Sequence, residues 1–171
     1  MHIEATMQDS VRTHFGELLE HHRGIVFKVA HTYCRHPDDR ADLAQEIATQ
    51  LWRAYPAFDQ ARASFSTWMY RIALNVAISH LRSASHRQQH AVALDESLHD
   101  VVGADDNHEG QEQLRLLHRF IEQQDPLNRA LLVLYLEDRS HREIAEILGI
   151  SEANVATKIS RLKQRLRSDI A

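Results

Sequence analysis

The sequence predicts an all-α protein of two small helical domains joined by a flexible acidic linker. Apolar residues recur at helical spacing over residues 11–87 and again over 112–168, and neither stretch shows the alternation typical of a strand. Between them, residues 91–111 have no sustained period and contain Gly103, Gly110 and a cluster of acids. A length of 171 residues suits one domain or two small ones, and we expect two separate lobes.

Composition excludes several classes of protein. With 5 Gly and 3 Pro, the chain is neither collagen-like nor loop-dominated. Its single cysteine, Cys34, excludes an internal disulfide and a zinc site built on several cysteines, and we expect it to be a buried, inert thiol. No apolar run approaches the ~20 residues that cross a bilayer, and the first ten residues lack the apolar segment of a signal peptide. We therefore expect a cytoplasmic protein without membrane insertion.

Charge is distributed unevenly along a mildly acidic chain. The 20 Lys and Arg against 24 Asp and Glu give a formal net charge of −4. Residues 61–90 contain four Arg and no acid, and residues 139–171 contain seven basic and four acidic residues. The stretch 91–127 contains nine acids and two Arg. Two localised basic surfaces are compatible with two anion-binding sites, although charge alone more often marks a solvated face.

The first domain begins with an apolar helical stripe from about Val11 to Tyr33, which the sequence His36-Pro37-Asp38 interrupts. Asp38 or Asp39 is expected to cap the next helix, and Pro56 to end it. The core stripe of that helix is Leu43, Ile47, Leu51 and Tyr55.

The last helix of the first domain combines aromatic and basic residues. Residues 56–65 are expected to form a loop or short turns, and Ser66 to cap a helix that runs to about Arg82. Six of the chain's 11 aromatic residues lie between Trp52 and Tyr70. Aromatic rings stack on unpaired bases while arginines hold the backbone, so this helix is a candidate for single-stranded DNA. For Trp68, a place in the core is an equal alternative.

The second domain is expected to contain four helices with clear boundary signals. Leu114, Leu117 and Ile121 mark the first of them. Asp125 followed by Pro126 is an N-cap with proline at the first helical position, and it opens the second helix. Ser140 and Glu143 match a capping box at the start of the third, Gly149 ends it, and Ser151 caps the last. The buried stripe of the last helix is Val155, Ile159, Leu162 and Leu166.

The third and fourth of these helices have the pattern of a helix-turn-helix. Ala145 is small enough for two helices to cross closely, Gly149 can adopt positive φ in the tight turn, and Val155 can anchor one helix on the other. The face opposite the buried stripe is polar and rimmed by cations, which suits a major-groove reader. An ordinary helical hairpin with a wet face is the alternative. The face consists of Ala153, Thr157, Ser160, Arg161 and Gln164, flanked by Lys158 and Arg165.

Three strings resemble bacterial RNA polymerase sigma factors, and specifically the extracytoplasmic-function group of the sigma-70 family. In chain order they are DDRADLAQEIATQLWRAYPAFD, SFSTWMYRIALNVAISHLR and LEDRSHREIAEILGISEANVATKISRLKQRLR. The resemblance implies sigma domain 2 at residues 11–90, a linker at 91–111 and sigma domain 4 at 112–168. It implies a cytoplasmic bacterial sigma factor that directs promoter-specific initiation, with no cofactor. The implied partners are promoter DNA, the β′ clamp helices and β flap of core RNA polymerase, and an anti-sigma factor.

The resemblance also assigns roles by position. It places polymerase docking on the helix from Asp42 to Arg53, −10 recognition and melting on the loop and helix from Pro56 to Arg82, and −35 recognition on the helix-turn-helix. The family often has Lys or Arg at position 156 and Arg at 158, whereas this chain has Ala156 and Lys158, which implies a different −35 preference. The implied docking residues are Asp42, Gln45, Glu46, Gln50 and Arg53. The implied −10 residues are Phe65, Thr67, Trp68, Arg71, Asn75, Ser79 and Arg82. The implied −35 residues are Ser140, Arg142, Ala153, Ala156, Thr157, Lys158, Ser160, Arg161, Gln164 and Arg165.

Two other classes of function compete with this interpretation. A stand-alone helix-turn-helix regulator would bind duplex DNA without polymerase, usually as a dimer on symmetric half-sites. A metal sensor or metalloenzyme would use the histidines, several of which lie near Cys34, but the chain has no HExxH or CxxC motif. No nucleophile–base pair or phosphate loop is recognisable, so we expect no enzymatic activity.

Overall fold

The chain folds into α-helices, as the sequence predicts. A computed structural model describes residues 2–88 and 108–170, and over these ranges it contains eight α-helices, one 3₁₀ turn at Tyr55–Ala57 and no strand. We call α1–α4 the N-terminal block and α5–α8 the C-terminal block. The helices are α1 His2–His21, α2 Arg23–Tyr33, α3 Pro37–Ala54, α4 Phe65–Gln88, α5 His108–Glu122, α6 Pro126–Leu136, α7 His141–Leu148 and α8 Glu152–Ile170.

The N-terminal block has its core where α2, α3 and α4 pack against one another. The predicted stripe on α3 is buried, since Leu43, Ile47 and Leu51 are each 0% exposed. They lie four residues apart, which places them on one face of the helix. The opposite face of α3 is therefore left to solvent. Residues that meet this stripe from α2 and α4 are Val29, Met69, Ala73, Leu74 and Ala77.

Three helix starts in this block differ from the predictions. α1 begins at His2 rather than near Val11. The predicted cap of α3 at Asp38 or Asp39 is wrong, because α3 begins at Pro37 and both acids lie in its first turn, where a negative charge favours the helix dipole. The predicted cap of α4 at Ser66 is also wrong. The Ser64 Oγ accepts from the Thr67 N–H at 3.3 Å and does the capping instead.

The C-terminal block confirms its predicted caps. The N–H of Asn128 donates to Asp125 at 2.9 Å, that of Glu143 to the Ser140 Oγ at 3.1 Å, and that of Asn154 to the Ser151 Oγ at 3.1 Å. Gly149 ends α7 with φ of 69°, a backbone conformation that other residues adopt only with strain. The turn of the helix-turn-helix is therefore defined by local sequence.

Helix α6 is the centre of the C-terminal block. Its residues 130–134 are all buried, and α8 packs on it and on α7. The predicted stripe on α8 is confirmed, with Val155, Ile159 and Leu162 at 0%, 3% and 2% exposed and Leu166 half-buried. In α5, Phe120 and Ile121 form the buried end, whereas Leu114 is exposed. The buried face of α8 thus fixes which of its residues face solvent.

The two blocks touch, although the sequence predicts separate lobes. Helix α4 packs against α6 and α7, and α2 packs against α5 and α6. Most of the predicted linker, residues 91–107, lies outside the described residues. Residues 108–111, which we assigned to the linker, belong to α5 instead. Side chains more than 70 residues apart in sequence meet at this junction, and no local pattern in the chain indicates it.

Candidate nucleic-acid interface

The predicted −35 reading surface is open to solvent. Helix α8 lies on α7 through its buried stripe, so the opposite face of α8 points outward. Ser140 and Arg142 at the start of α7 are also exposed, and Arg142 pairs only loosely with Glu146, at 3.9 Å. Ala156 and Lys158 are half-buried at the edge of this face. The exposed residues on α8 are Ala153, Thr157, Ser160, Arg161, Gln164 and Arg165.

The composition of this face suits a DNA groove. Short side chains at its centre leave space for base edges, while Arg161 and Arg165 can reach phosphates or bases. Thr157 Oγ1 donates to the Ala153 carbonyl at 3.0 Å, so its hydroxyl proton is used within the helix. Lys163 lies on the shoulder, with its ammonium 4.5 Å from the Tyr135 ring centroid. In the free chain this surface is exposed over the central turns of α8.

The predicted −10 residues on α4 divide into two groups. Arg71, Asn75, Ser79 and Arg82 lie four or three residues apart and are exposed along the middle of the helix. At the start of α4 the situation differs, because Phe65 is 6% exposed, Thr67 is 9% exposed and Trp68 is half-buried.

An aromatic cluster supports the start of α4. The ring of Trp68 lies 5.0 Å from that of Phe58 and 5.3 Å from that of Phe65, measured between centroids. Tyr55 extends the cluster to Phe15, at 4.9 Å. Trp68 therefore has a structural role in this cluster, which agrees with the core alternative, although the residue is half-buried rather than fully buried. The cluster joins the 56–65 loop to the helix that follows it.

The predicted docking residues share the solvent face of α3. Asp42, Gln45, Glu46 and Arg53 are exposed, and Gln50 is half-buried. The Gln50 Nε2 donates to Glu46 Oε1 at 3.1 Å, which links two of them. This face is opposite the buried stripe of the helix, so substitutions on it do not disturb the core.

Arg139, which no sequence pattern indicates, connects the two blocks. It lies between α6 and α7, and its guanidinium donates to the Ser66 Oγ at 3.0 Å and to the Thr67 Oγ1 at 3.3 Å, both on the first turn of α4. The same group pairs with Glu143 at 3.2 Å and lies 5.2 Å from the centroid of the Tyr70 ring. Only spatial proximity reveals this residue, since its partners on α4 lie 72 and 73 positions away.

Further polar contacts join the blocks. Arg71 Nη2 donates to the Glu146 carbonyl at 2.6 Å, and Tyr33 OH donates to the Pro126 carbonyl at 2.7 Å. Burial raises the pKa of the Tyr33 phenol above its ordinary value, and raises the pKa of Tyr70 to about 12, so both stay protonated near neutral pH. Two ion pairs complete the set: Arg35 with Glu122 at 3.0 Å, and Lys28 with Glu137.

Metal binding by the histidines finds little support among the described residues. Among residues 2–88 and 108–170, no three or more His, Cys, Asp and Glu side chains come together as a metal site would require. Cys34 is buried, as expected, and burial raises the pKa of its thiol. No described helix is both long and apolar enough to cross a bilayer.

Comparison with known families identifies two matching regions in the expected order. The family model described as Sigma-70 region 2 matches residues 18–87, and that described as Sigma-70, region 4 matches residues 114–166. The first match covers most of the N-terminal block, including α3 and nearly all of α4. The second covers the helix-turn-helix.

Individual relatives agree with these matches. The chain is 27% identical to the ECF RNA polymerase sigma factor SigE of Mycolicibacterium smegmatis, over 98% of this chain and 66% of the relative. It therefore spans just under two thirds of that relative's length. It is also 27% identical to the ECF sigma factor SigW of Bacillus subtilis, over 91% of this chain and 88% of the relative. Among solved structures, the sigma factor RpoE of Bartonella quintana, crystallised with the anti-sigma factor NepR, has a similar fold. Its TM-score is 0.68 at 19% identity, covering 91% of this chain and 96% of that one.

Proposed function

We propose that this chain, which belongs to the sigma-70 family of RNA polymerase sigma factors, binds core polymerase and directs it to promoters by separate −10 and −35 contacts. The observation that carries the proposal is the presence of two helices with exposed polar and basic faces, one in each matching region. The stand-alone regulator is less well supported, because it gives no role to the N-terminal block.

The −35 element is read by α8 in the major groove. The helix has small residues at the centre of its exposed face and cations at the rim, the arrangement that base-edge contact with phosphate anchoring requires. Arg161 is the side chain best placed for a base contact, since it is exposed on this face with no described ion pair to neutralise it. Ser140 and Arg142, beside the exposed N–H groups of the first turn of α7, hold a phosphate.

The −10 element is melted and read by α4 and the loop before it. Arg71 and Arg82 supply positive charge for the DNA backbone, and Asn75 and Ser79 supply hydrogen-bonding groups between them. The aromatic cluster at the start of the helix supports the loop, and its half-buried member Trp68 is the candidate for stacking on an unstacked base.

The exposed face of α3 docks on the polymerase. Asp42 and Glu46 provide negative charge on a helix whose other face is locked in the core, so a partner meets a rigid surface. Each reader is small and the chain carries a net charge of −4, so neither is expected to bind DNA tightly alone. Attachment to a common polymerase raises the effective concentration of each reader for its element.

The proposal also includes an anti-sigma factor as a partner and the bacterial cytoplasm as the place where the protein acts. The structural neighbour described above was crystallised with an anti-sigma factor, which supports a similar partner for this chain. We assign no catalytic role to any residue, because the proposed activity of this chain consists of binding core polymerase and promoter DNA and of helping to separate the DNA strands.

The test is promoter-dependent transcription with reconstituted core polymerase and a promoter library. The wild-type chain should support initiation from a subset of promoters, whereas absence of transcripts from the whole library contradicts the proposal. A gel shift without polymerase tests the regulator alternative, which requires tight binding by the free chain to a symmetric duplex site.

The docking surface is tested by charge reversal. Asp42→Lys with Glu46→Lys should lower affinity for core polymerase by about tenfold, or ~1.4 kcal/mol, with unchanged helical content. The matched control is Glu4→Lys with Glu17→Lys, which reverses two exposed acids on α1. Equal affinities of the two double variants place the docking surface elsewhere.

A further inference from the structure

We infer that the first three turns of α1 form a self-association surface, through which two copies of this chain pair as antiparallel helices. The inference goes beyond the proposed function, because it does not depend on promoter or polymerase contacts. The surface lies before residue 18, where the match to Sigma-70 region 2 begins. The family assignment therefore leaves this surface without a role.

The surface is a stripe of three exposed apolar side chains, which we call the α1 stripe. Its members Ile3, Met7 and Val11 are 78%, 65% and 45% exposed. They lie four residues apart, so they form one ridge along the helix. The ridge continues to Phe15, which is 6% exposed and packs on the ring of Trp52 at 5.2 Å. Exposure thus increases with distance from the core.

Covering the α1 stripe would stabilise the helix. Most helical stability in proteins comes from packing an apolar face, and short isolated helices are marginal in water. The turns of α1 before Arg12 instead present their apolar face to solvent. A partner that buries this face removes apolar surface from water and orders the helix at the same time.

A shallow groove beside the stripe supplies the complementary shape. The groove is lined by Ile3, Thr6, Met7 and Ser10. Thr6 and Ser10 are small and lie in the neighbouring row of the helix, so the space above them can receive side chains of a facing helix. Helices whose i±4 rows interdigitate in this way cross at about −50°, with their axes ~8–10 Å apart. Because ridge and groove lie on the same face, the surface is complementary to itself.

A second copy fits this face best when the two helices are antiparallel. A twofold axis at Met7 brings the two Met7 side chains together and places Ile3 of one protomer beside Val11 of the other. The most exposed end of each stripe then covers the least exposed end of its mate. The opposite partial charges of the helix termini also lie side by side in this orientation.

The charges of α1 permit the pairing. Between residues 3 and 11 the only ionisable side chains are Glu4 and Asp9. Asp9 lies two residues, or about 200°, from Met7 and therefore on the opposite face of the helix. Glu4 borders the stripe, but the twofold axis separates its two copies by six residues, or ~9 Å along the helix. The same axis brings Glu4 of one protomer beside the Gln8 amide of the other.

Other occupants are less well suited to the α1 stripe. Residues 3–11 contain no Lys or Arg, which both DNA and an anionic membrane surface require. The interface is also small, since three side chains per copy offer less than the ~800 Å² per partner of a standard stable complex. We therefore expect a reversible dimer with a dissociation constant of roughly 100 µM.

The experiment is sedimentation equilibrium of the full chain at about 10 µM to 1 mM, a range that brackets the expected midpoint. The average mass of the wild type should rise with concentration toward that of a dimer. Met7→Glu places two carboxylates at the twofold axis and should weaken association at least about tenfold. The matched control is Ala5→Glu, which adds the same charge to the opposite, exposed face of α1 and should associate like the wild type.

A second measurement tests the orientation of the helices. An equal mixture of Ile3→Cys and Val11→Cys chains is oxidised and analysed for disulfide-linked dimers. Antiparallel pairing should give mixed dimers in excess of dimers of either single variant. The native Cys34 is buried, so it competes little in this reaction.

Three results would overturn the inference. One is a wild-type mass that stays monomeric over the whole range, which leaves the stripe to a different occupant. Another is equal association of Met7→Glu and Ala5→Glu, and the third is an excess of single-variant disulfide dimers. If Met7→Glu loses helical content by circular dichroism, Ile3→Glu replaces it, because Ile3 lies farther from the core. Promoter-dependent transcription is unaffected by any of these results, so the proposed function is tested separately.

Discussion

Helices α4 and α8 both bury one face and are both proposed to contact DNA with the other, but the two proposed DNA-binding faces differ in how much of them is exposed. The reading face of α8 is exposed over its central turns, and its neighbours lie on the opposite side. The first turns of α4 are covered by Arg139 and by α7, and only its middle is exposed. Both faces carry arginines and small polar residues, but the covered start of α4 also carries Phe65 and Trp68, whereas α8 has no aromatic residue.

The contrast matches the different states of DNA that the two helices are proposed to meet. A major-groove reader meets a duplex that is already present, so a preformed open face suits it. A reader of unstacked bases meets a substrate that exists only after melting, so part of its surface can be occupied until then. The covered surface also carries aromatic residues, whose exposure in the free chain would favour unspecific contacts.

The largest expected effect comes from removing a buried side chain that holds α8, and thus its exposed face, in place. Ile159→Ala removes a side chain that is 3% exposed beneath the α8 face, and should lower the free energy of unfolding by about 2–5 kcal/mol. Hydrogen exchange should rise in α6–α8 and change little in α2 and α3. The control is Ser160→Ala on the exposed face, with little effect on stability. Equal loosening of α2 and α3 would mean that the two blocks fold as one unit.

The two proposed DNA-binding helices are compared directly by Arg161→Ala in α8 and Asn75→Ala in α4, each measured in the polymerase-bound protein. Arg161→Ala should weaken promoter binding by about 1–3 kcal/mol and relax preference at the −35 element only. Asn75→Ala should leave −35 preference intact and alter the −10 preference or the rate of strand opening. Promoter libraries randomised in one element at a time measure both effects. Identical changes of preference in the two variants would refute the assignment of one element to each helix.

The smallest effect concerns the local cap of α7. Ser140→Ala removes the acceptor of the Glu143 N–H and should cost about 1 kcal/mol of stability, measured by chemical unfolding. The matching change at α3, His36→Ala, should have little effect, because His36 makes no side-chain cap there. A large effect at His36 with none at Ser140 would contradict the capping assignment.

Local signals predicted the C-terminal block well. The caps at Asp125, Ser140 and Ser151 and the turn at Gly149 depend on residues three or four positions apart, so they are readable without knowledge of the fold. At α4 the predicted cap at Ser66 was wrong, because Ser64 caps the helix and Ser66 instead accepts from the distant Arg139.

The candidate sites were predicted in part. The exposed faces of α3 and α8 follow from the periodicity of their buried stripes, and the exposed group on α4 follows in the same way. The burial of Thr67 was not predicted, because the face it shares with Arg71 is polar and its cover comes from a distant segment. Arg139 was missed for the same reason.

The sequence by itself determined the helical fold, the faces that the helices bury and the helix boundaries at Asp125, Ser140, Gly149 and Ser151, because these depend on propensities and on spacings within one or two turns. Together with the order of its motifs, it also indicated the family. Only the tertiary structure decided that the two blocks meet and that the start of α4, rather than the exposed face of α8, is covered. That choice depends on polar contacts between side chains far apart in the chain, whose proximity no local pattern encodes.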